Sequence, residues 1–278
     1  MDLVLPEGID RLPRHHRRLL AACEMGFAEP DVAGMAIAGS FVDGRPDEYS
    51  DVDLRLVLAE GSLDRVFARK VELARQAGPL VAFFTGEHVG EPQLLVTLYA
   101  DLVHVDYLFM ELWEAAEKNN GRQTLVLWQR DPRVTQVLSQ PYVADVPADL
   151  AYLEARIWTW AWYIQSKILR GELWEAVSGL NTVRDVVLFR LFALARDVRF
   201  RGARFAEELV GERRAAVELT QARVDRESLQ VALRATVSLY LELADPLLMR
   251  YGVQPNEAAR KTVMPALEAG PAFVPPPA

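Results

Sequence analysis

Ala36-Ile37-Ala38-Gly39-Ser40 and, after a polar loop from Phe41 to Ser50 that holds Gly44 and Pro46, Asp51-Val52-Asp53-Leu54-Arg55-Leu56-Val57-Leu58 decide how this chain folds. The first run is apolar and ends in a small-residue turn. The second alternates: on an extended strand Asp51, Asp53 and Arg55 share one face, and Val52, Leu54, Leu56 and Leu58 share the other. The apolar face is expected to dock on a core and the acidic face to look out, with Arg55 as an ion-pair partner that keeps the acids ordered.

Before this stretch, Leu12 to Phe27 places Leu19, Leu20, Cys23 and Phe27 at near-helical spacing, and Pro30-Asp31 breaks the helix ahead of a strand from Val32 to Ala38. After it, Gly61-Ser62 opens a helix with Ser62 as its cap and Leu63, Val66, Phe67, Val71 and Leu73 as its buried stripe; Gly78-Pro79 ends it. Leu80 to Phe84, Leu94 to Tyr99 and Leu102 to Met110 read as further strands. In the last, Val103, Val105 and Tyr107 alternate with His104, Asp106 and Leu108, so a third carboxylate emerges on a strand face far along the chain. Residues 1–112 therefore read as a small mixed sheet with flanking helices, an α+β layer.

The composition then shifts. Residues 113–147, with Asn119-Asn120-Gly121 and Pro132, Pro141 and Pro147, read as a connecting segment, and residues 148–270 as a helical bundle domain. Its helices are expected at Leu150 to Arg170, stopped by Gly171, at Leu173 to Val198, and at Ser228 to Ala244, capped by Ser228 and ended at Asp245-Pro246. One or two shorter helices fill the charge-rich span between. Residues 271–278, with Pro275 to Pro277, are expected to be a loose tail.

With 278 residues, 51% hydrophobic and 25% charged, the chain has the composition of a folded globular protein. A net charge of -8 argues against a duplex nucleic-acid binder, which needs a basic surface. The single cysteine, Cys23, excludes an internal disulfide, and no run has the length of a signal core or a membrane span. A cytoplasmic protein, monomer or homodimer, is the expectation.

An Asp-x-Asp pair alone says little, because acids commonly end strands for solubility. Here the pair starts an apolar strand, follows a Gly-Ser turn, and is joined by Asp106 on a later strand. Three carboxylates converging on one sheet face would repel one another, and divalent cations would remove the conflict. Mg²⁺, which takes a few carboxylates together with water and substrate phosphates, suits Asp51, Asp53 and Asp106, and two such ions can stabilise the attacking and leaving oxygens of a phosphoryl displacement.

Gly39-Ser40, Ser50-Asp51-Val52-Asp53-Leu54 and His104-Val105-Asp106-Tyr107 together resemble the nucleotidyltransferases of the DNA polymerase β superfamily, in particular the minimal, antibiotic-modifying branch with the aminoglycoside and lincosamide nucleotidyltransferases. The resemblance covers roughly residues 12 to 112; Ile164 to Arg184 is similar, less specifically, to the helical domains attached to those enzymes. It implies transfer of a nucleoside monophosphate from an NTP, ATP foremost, to a hydroxyl of a small molecule. It also implies that Gly39, Ser40 and Ser50 hold the nucleotide, that Asp51 and Asp53 bind two Mg²⁺ ions, and that Asp106 is metal ligand, base or both. This sequence keeps all three acids, while its loop from Val42 to Tyr49 has fewer glycines and more acids than some relatives.

Lys167, on a C-terminal helix, is a candidate cation for the triphosphate, with a solvated helix position as its plainer role. Arg184 and Glu172 carry the same double reading, ion pair or helix dipole against a place in the cleft. His104 is expected to be a structural hydrogen-bonding residue, His15-His16 and His88 lack metal-ligand spacing, and Trp158, Trp160 and Trp162 are expected in the core. Two other functions compete: a regulatory enzyme that adenylylates a protein, and a silent nucleotide-binding module.

Overall fold

A computed structural model describes residues 2–141 and 143–272, and the chain divides after Val143 into two compact units. The first is α+β. Helix α1 (Pro13–Ala28) starts with proline in its first turn, where the missing N–H has no intrahelical partner to lose, and leads into β1 (Val32–Ala38). A short turn, Gly39–Phe41, and the polar loop separate β1 from β2 (Val52–Leu58). Then follow α2 (Leu63–Ala68), α3 (Lys70–Gln76), β3 (Leu80–Gly86), β4 (Glu91–Tyr99), β5 (His104–Glu111), α4 (Ala115–Asn119), β6 (Leu125–Gln129) and α5 (Arg133–Leu138). The six strands form one sheet in the order β3-β4-β5-β2-β1-β6, antiparallel except for the parallel pair β2 and β5.

The edge strand β3 leaves Val81, Phe83 and Phe84 exposed, while both faces of the sheet's centre are covered. On one, Leu54, Leu56 and Leu58 of β2 pack with Met35, Ile37, Val105, Tyr107 and Phe109 against Leu19 and Cys23 of α1 and Leu73 of α3. On the other, Ala36, Val57, Leu108 and Met110 lie under Ala115 of α4 and Val134 and Leu138 of α5. This second layer corrects the expected outward face of β2. Asp51 and Asp53 are half-buried, but Arg55 is only 2% exposed, because α4 and α5 cover the strand from that point on.

Three local expectations also change. The span 113–147 contains two helices and β6, which pairs with β1 and completes the sheet edge. The helix after Gly61 breaks at Arg69 into α2 and α3, and Ser62 does not cap it: its Oγ donates to Ala59 O at 2.5 Å, while Glu111 Oε1 accepts from Leu63 N at 3.0 Å. The bond from Leu63 N, more than that from Trp113 Nε1, holds the Glu111 carboxyl below the usual range. A carboxylate accepts a first-turn N–H more strongly than a hydroxyl does, and it favours the helix dipole.

The second unit is all helical: α6 (Val146–Arg170), α7 (Leu173–Val183), α8 (Phe189–Ala195), α9 (Ala206–Val210), α10 (Arg214–Glu218), α11 (Arg226–Tyr251) and α12 (Glu257–Ala269), with a π turn, Arg184–Leu188, joining α7 to α8. Gly171 ends α6 at φ 80°, as expected. The cap of α11 is Asp225, whose carboxylate accepts from Ser228 N at 2.8 Å, and the helix runs through Pro246 to Tyr251. Proline inside a helix costs about 3 kcal/mol. Burial of Leu247 and Leu248 beyond it offsets that cost, at about 1.5–3 kcal/mol for each fully buried leucine.

Leu153, Ile157, Trp158, Ile164, Leu180, Leu233 and Tyr240 share this unit's core. Trp158 lies in it as expected, and Trp160 packs against it half-buried. One acid is enclosed there. Glu154, 4% exposed, accepts from Trp158 Nε1 at 2.9 Å, Asn256 N at 2.8 Å and the Tyr240 hydroxyl. Burial pushes its carboxyl up, and these bonds together with Arg260 more than offset that, leaving it below the ordinary range. Of the expected tail, Gly270–Ala272 forms a single 3-10 turn; the remainder lies outside the described residues.

Candidate active site

The register of three strands brings the acids together. Asp53 pairs with Asp106 across the parallel β2 and β5, and with Ala38 across the antiparallel β2 and β1. Paired residues share a face, so Asp53 and Asp106 stand side by side, and the turn that follows Ala38 stands on the other flank of Asp53. Asp51, two residues before Asp53, joins the same face. One carboxylate oxygen from each of Asp51, Asp53 and Asp106 lies within 4.8 Å of the others.

Gly39 is required here for two reasons. Its φ is +72°, a conformation that costs an L side chain, and a Cβ at this position would lie 2.2 Å from Asp53 Oδ2. The Asp53 carboxylate fills the space that only a glycine leaves. Beside it, the hydroxyl of the half-buried Ser40 is enclosed without a hydrogen-bond partner. An enclosed hydroxyl of this kind ordinarily finds a partner, so the turn presents a donor to a group that would lie over it.

The loop ahead of Asp51 is held from two sides. Ser50 Oγ donates to Asp47 Oδ1 at 3.0 Å and accepts from Asp47 N at 2.9 Å. Ser50 O lies 2.9 Å from Nε2 of His15, a buried residue of α1; a carbonyl only accepts, so that nitrogen carries the proton. Sequence spacing shows His15 only as a helix residue, because its role depends on a contact with a distant loop. Ser50 is thus engaged in shaping the entry to the acidic strand.

Charge around the acids is arranged unevenly. His104 Nε2 lies 2.9 Å from Asp106 Oδ1, and neither atom has a hydrogen-bond partner beyond this contact. Hydrogen bonding to Asp106 raises the His104 pKa, against burial, with Asp51 and Asp53 adding to the rise. Arg55, one step along the same face from Asp53, is driven down to about 10 by burial, while Asp53 and Asp106 support its charge. It therefore stays protonated at neutral pH, as a buried cation behind the acids.

Lys167, Glu172 and Arg184 belong to the helical unit. Lys167 Nζ donates to Glu172 Oε2 at 2.5 Å, which raises the lysine and lowers the glutamate, and Arg184 Nη1 donates to Thr220 O at 3.1 Å.

The residues present fit divalent cations with a phosphate-bearing ligand: hard oxygen ligands only, an Asp106 oxygen with a single contact to a histidine, and a glycine turn with an unpartnered hydroxyl. No helix among the described residues is long and apolar enough to cross a membrane.

No family model matches the sequence, and no curated protein matches it. Among solved structures the chain is similar to an aminoglycoside 6-adenyltransferase from Bacillus subtilis, at 11% identity over 91% of this chain and 97% of that one, with a TM-score of 0.44. It is also similar to a STING-associated CdnE c-di-GMP synthase from Capnocytophaga granulosa, at 13% identity over 84% and 83% of the two chains, with a TM-score of 0.28. Likenesses at these scores assign neither a family nor an activity.

Proposed function

We propose that this chain is a metal-dependent nucleotidyltransferase that moves a nucleoside monophosphate from an NTP, ATP foremost, to a hydroxyl of a small molecule. The observation that carries the reading is the convergence of Asp51, Asp53 and Asp106 beside the Gly39-Ser40 turn. Bound divalent cations, Mg²⁺ by the hardness of the ligands, would screen the three carboxylates and stabilise charge on the entering and leaving oxygens. Asp51 and Asp53 would be the ligands, with Asp106 completing the set or taking the proton of the acceptor hydroxyl. The backbone of Gly39 and the hydroxyl of Ser40 hold phosphate oxygens, since glycine lets the main chain approach an anion closely. Ser50 contributes by holding the loop.

Charge and resemblance are what favour one acceptor class over others. A net charge of -8 suits a cationic acceptor such as an aminoglycoside, and a lincosamide is the neighbouring choice. The test is a pyrophosphate-release screen with several NTPs, Mg²⁺ and a panel of aminoglycosides, lincosamides and other polyols, with Asp53→Asn as control. Wild-type release that falls by at least 100-fold in the variant is the expected result, in line with removal of a group that acts in the transition state. Equal release from the variant would sink the metal-site assignment.

A further inference from the structure

A cavity of about 500 Å³ lies beside the acidic site, with Val42, Arg122, Thr124, Val126, Thr135 and Ser139 among its lining residues. Strand register fixes where it is. Val126 of β6 pairs with Ala36 of β1, Ala36 pairs with Arg55 of β2, and Ala38 pairs with Asp53. The cavity floor is therefore on the sheet face that carries Asp53 and Asp106, two strand spacings from β2, or roughly 10 Å. Between them β1 places only Ala36 and Ala38 on this face, so no large side chain divides the two.

The walls are built from parts already described. Val42 continues the Gly39–Phe41 turn, its N–H donating to Gly39 O at 2.9 Å. On the opposite side Asn119, 1% exposed, donates to Arg122 O at 2.9 Å and to Leu138 O at 3.1 Å, fixing the loop and the end of α5 to each other. Arg122 is the single charged residue of the lining and forms no ion pair among the described residues. Around it Gln123, Thr124, Thr135 and Ser139 line the same cavity with amides and hydroxyls. An exposed guanidinium without an ion pair, with hydroxyls and amides around it, makes a place for an anion.

The direction of the proposed reaction says which anion. The acceptor oxygen forms its bond to the α-phosphorus opposite the bond that breaks. With Asp106 of β5 as the group that takes the acceptor proton, the acceptor side is to one side of Asp53; the Gly39-Ser40 turn is on β1, to the other. Pyrophosphate, departing with the electron pair of the broken P–O bond, therefore leaves over β1 towards β6. We propose that the Arg122 cavity is the subsite for the phosphate end of the NTP and holds the pyrophosphate formed by transfer. This rests on the nucleotidyl-transfer reading and adds a binding residue, Arg122, that lies outside the acidic motif.

The test uses the full chain and inorganic pyrophosphate with Mg²⁺, titrated by calorimetry. Arg122 is exposed on a loop, so its variants are expected to fold, which circular dichroism checks. Arg122→Ala is expected to weaken pyrophosphate binding about tenfold and Arg122→Glu further, with product inhibition by pyrophosphate relaxed in parallel and the acceptor KM unchanged. Wild-type affinity in Arg122→Ala, with affinity lost in Asp53→Asn, would overturn the subsite and leave the nucleotidyl-transfer reading standing. A raised acceptor KM with unaltered pyrophosphate binding would make the cavity an acceptor pocket and also overturn it. If wild type binds neither pyrophosphate nor Mg²⁺-nucleotide, and Asp53→Asn behaves as wild type, both readings fall.

Discussion

Gly39→Ala separates two demands that the turn makes on one residue. Gly39 and Gly44 both have positive φ, +72° and +74°, but a Cβ at Gly44 would meet nothing within 4 Å, whereas at Gly39 it would stand 2.2 Å from Asp53 Oδ2. An L residue in this conformation costs ~1–2 kcal/mol, so Gly44→Ala measures that strain alone. Gly39→Ala adds the collision. Relieving it forces the Asp53 side chain off its rotamer, a further ~0.5–1.5 kcal/mol. The carboxylate must also swing by ~1 Å, and a misplacement of that size in a reacting centre lowers turnover on the order of 100-fold. Urea denaturation of the two variants reads the difference in stability, and pyrophosphate release with Mg²⁺ reads the difference in activity. If the two alanine variants are equally stable and equally active, the close approach of Asp53 to the turn is not a constraint and the account of Gly39 is wrong.

Three further outcomes concern the buried acids. Glu154→Ala leaves the Tyr240 hydroxyl and Trp158 Nε1 unpartnered in the core, and each orphaned donor costs about 1–3 kcal/mol, so chemical denaturation should show a loss of several kcal/mol. Because the folded-state pKa of Glu154 is depressed, its contribution is complete above the unfolded glutamate value of about 4.3 and is lost as pH falls through the lower folded value. Glu154→Gln should accordingly flatten the acid limb of the stability curve; an unchanged limb would contradict the network. Glu111→Ala removes the acceptor for Leu63 N and should cost ~1 kcal/mol, more than Ser62→Ala. Equal losses in urea titrations would return the cap to Ser62.

The parts of the fold that were legible are those with a clean local period or a breaker. Val32–Ala38 and Val52–Leu58 announce themselves by a Gly-Ser turn and by alternation, and Asp106 is found because His104, Asp106 and Leu108 alternate with apolar residues. Strand β6 was hidden because Leu125-Val126-Leu127-Trp128 is a continuous apolar run without alternation, set among turn residues and prolines. Arg55 was misplaced for a related reason: alternation fixes which residues share a face but not how far a covering layer extends over it, and that layer, α4 and α5, comes from residues far along the chain. Ser62, Ser228 and Pro246 show the limit of local signals, since a distant carboxylate, an earlier aspartate and buried leucines respectively outweigh them. The cavity beside Arg122 has no sequence signature, because its walls are gathered from a turn, an edge strand and a short helix.

Strand β5 has a consequence for how the protein comes into being. It lies between β4 and β2, so until it is in place the β1-β2 and β3-β4 hairpins share no edge. A chain synthesised only as far as β4 can form at most two separate hairpins, each with an open edge, and carries only two of the three acids. The strand that zips the hairpins into one sheet is also the one that delivers Asp106. Closure of the sheet and completion of the three-acid cluster therefore arrive in a single event, and a copy without β5 carries only Asp51 and Asp53 of the set.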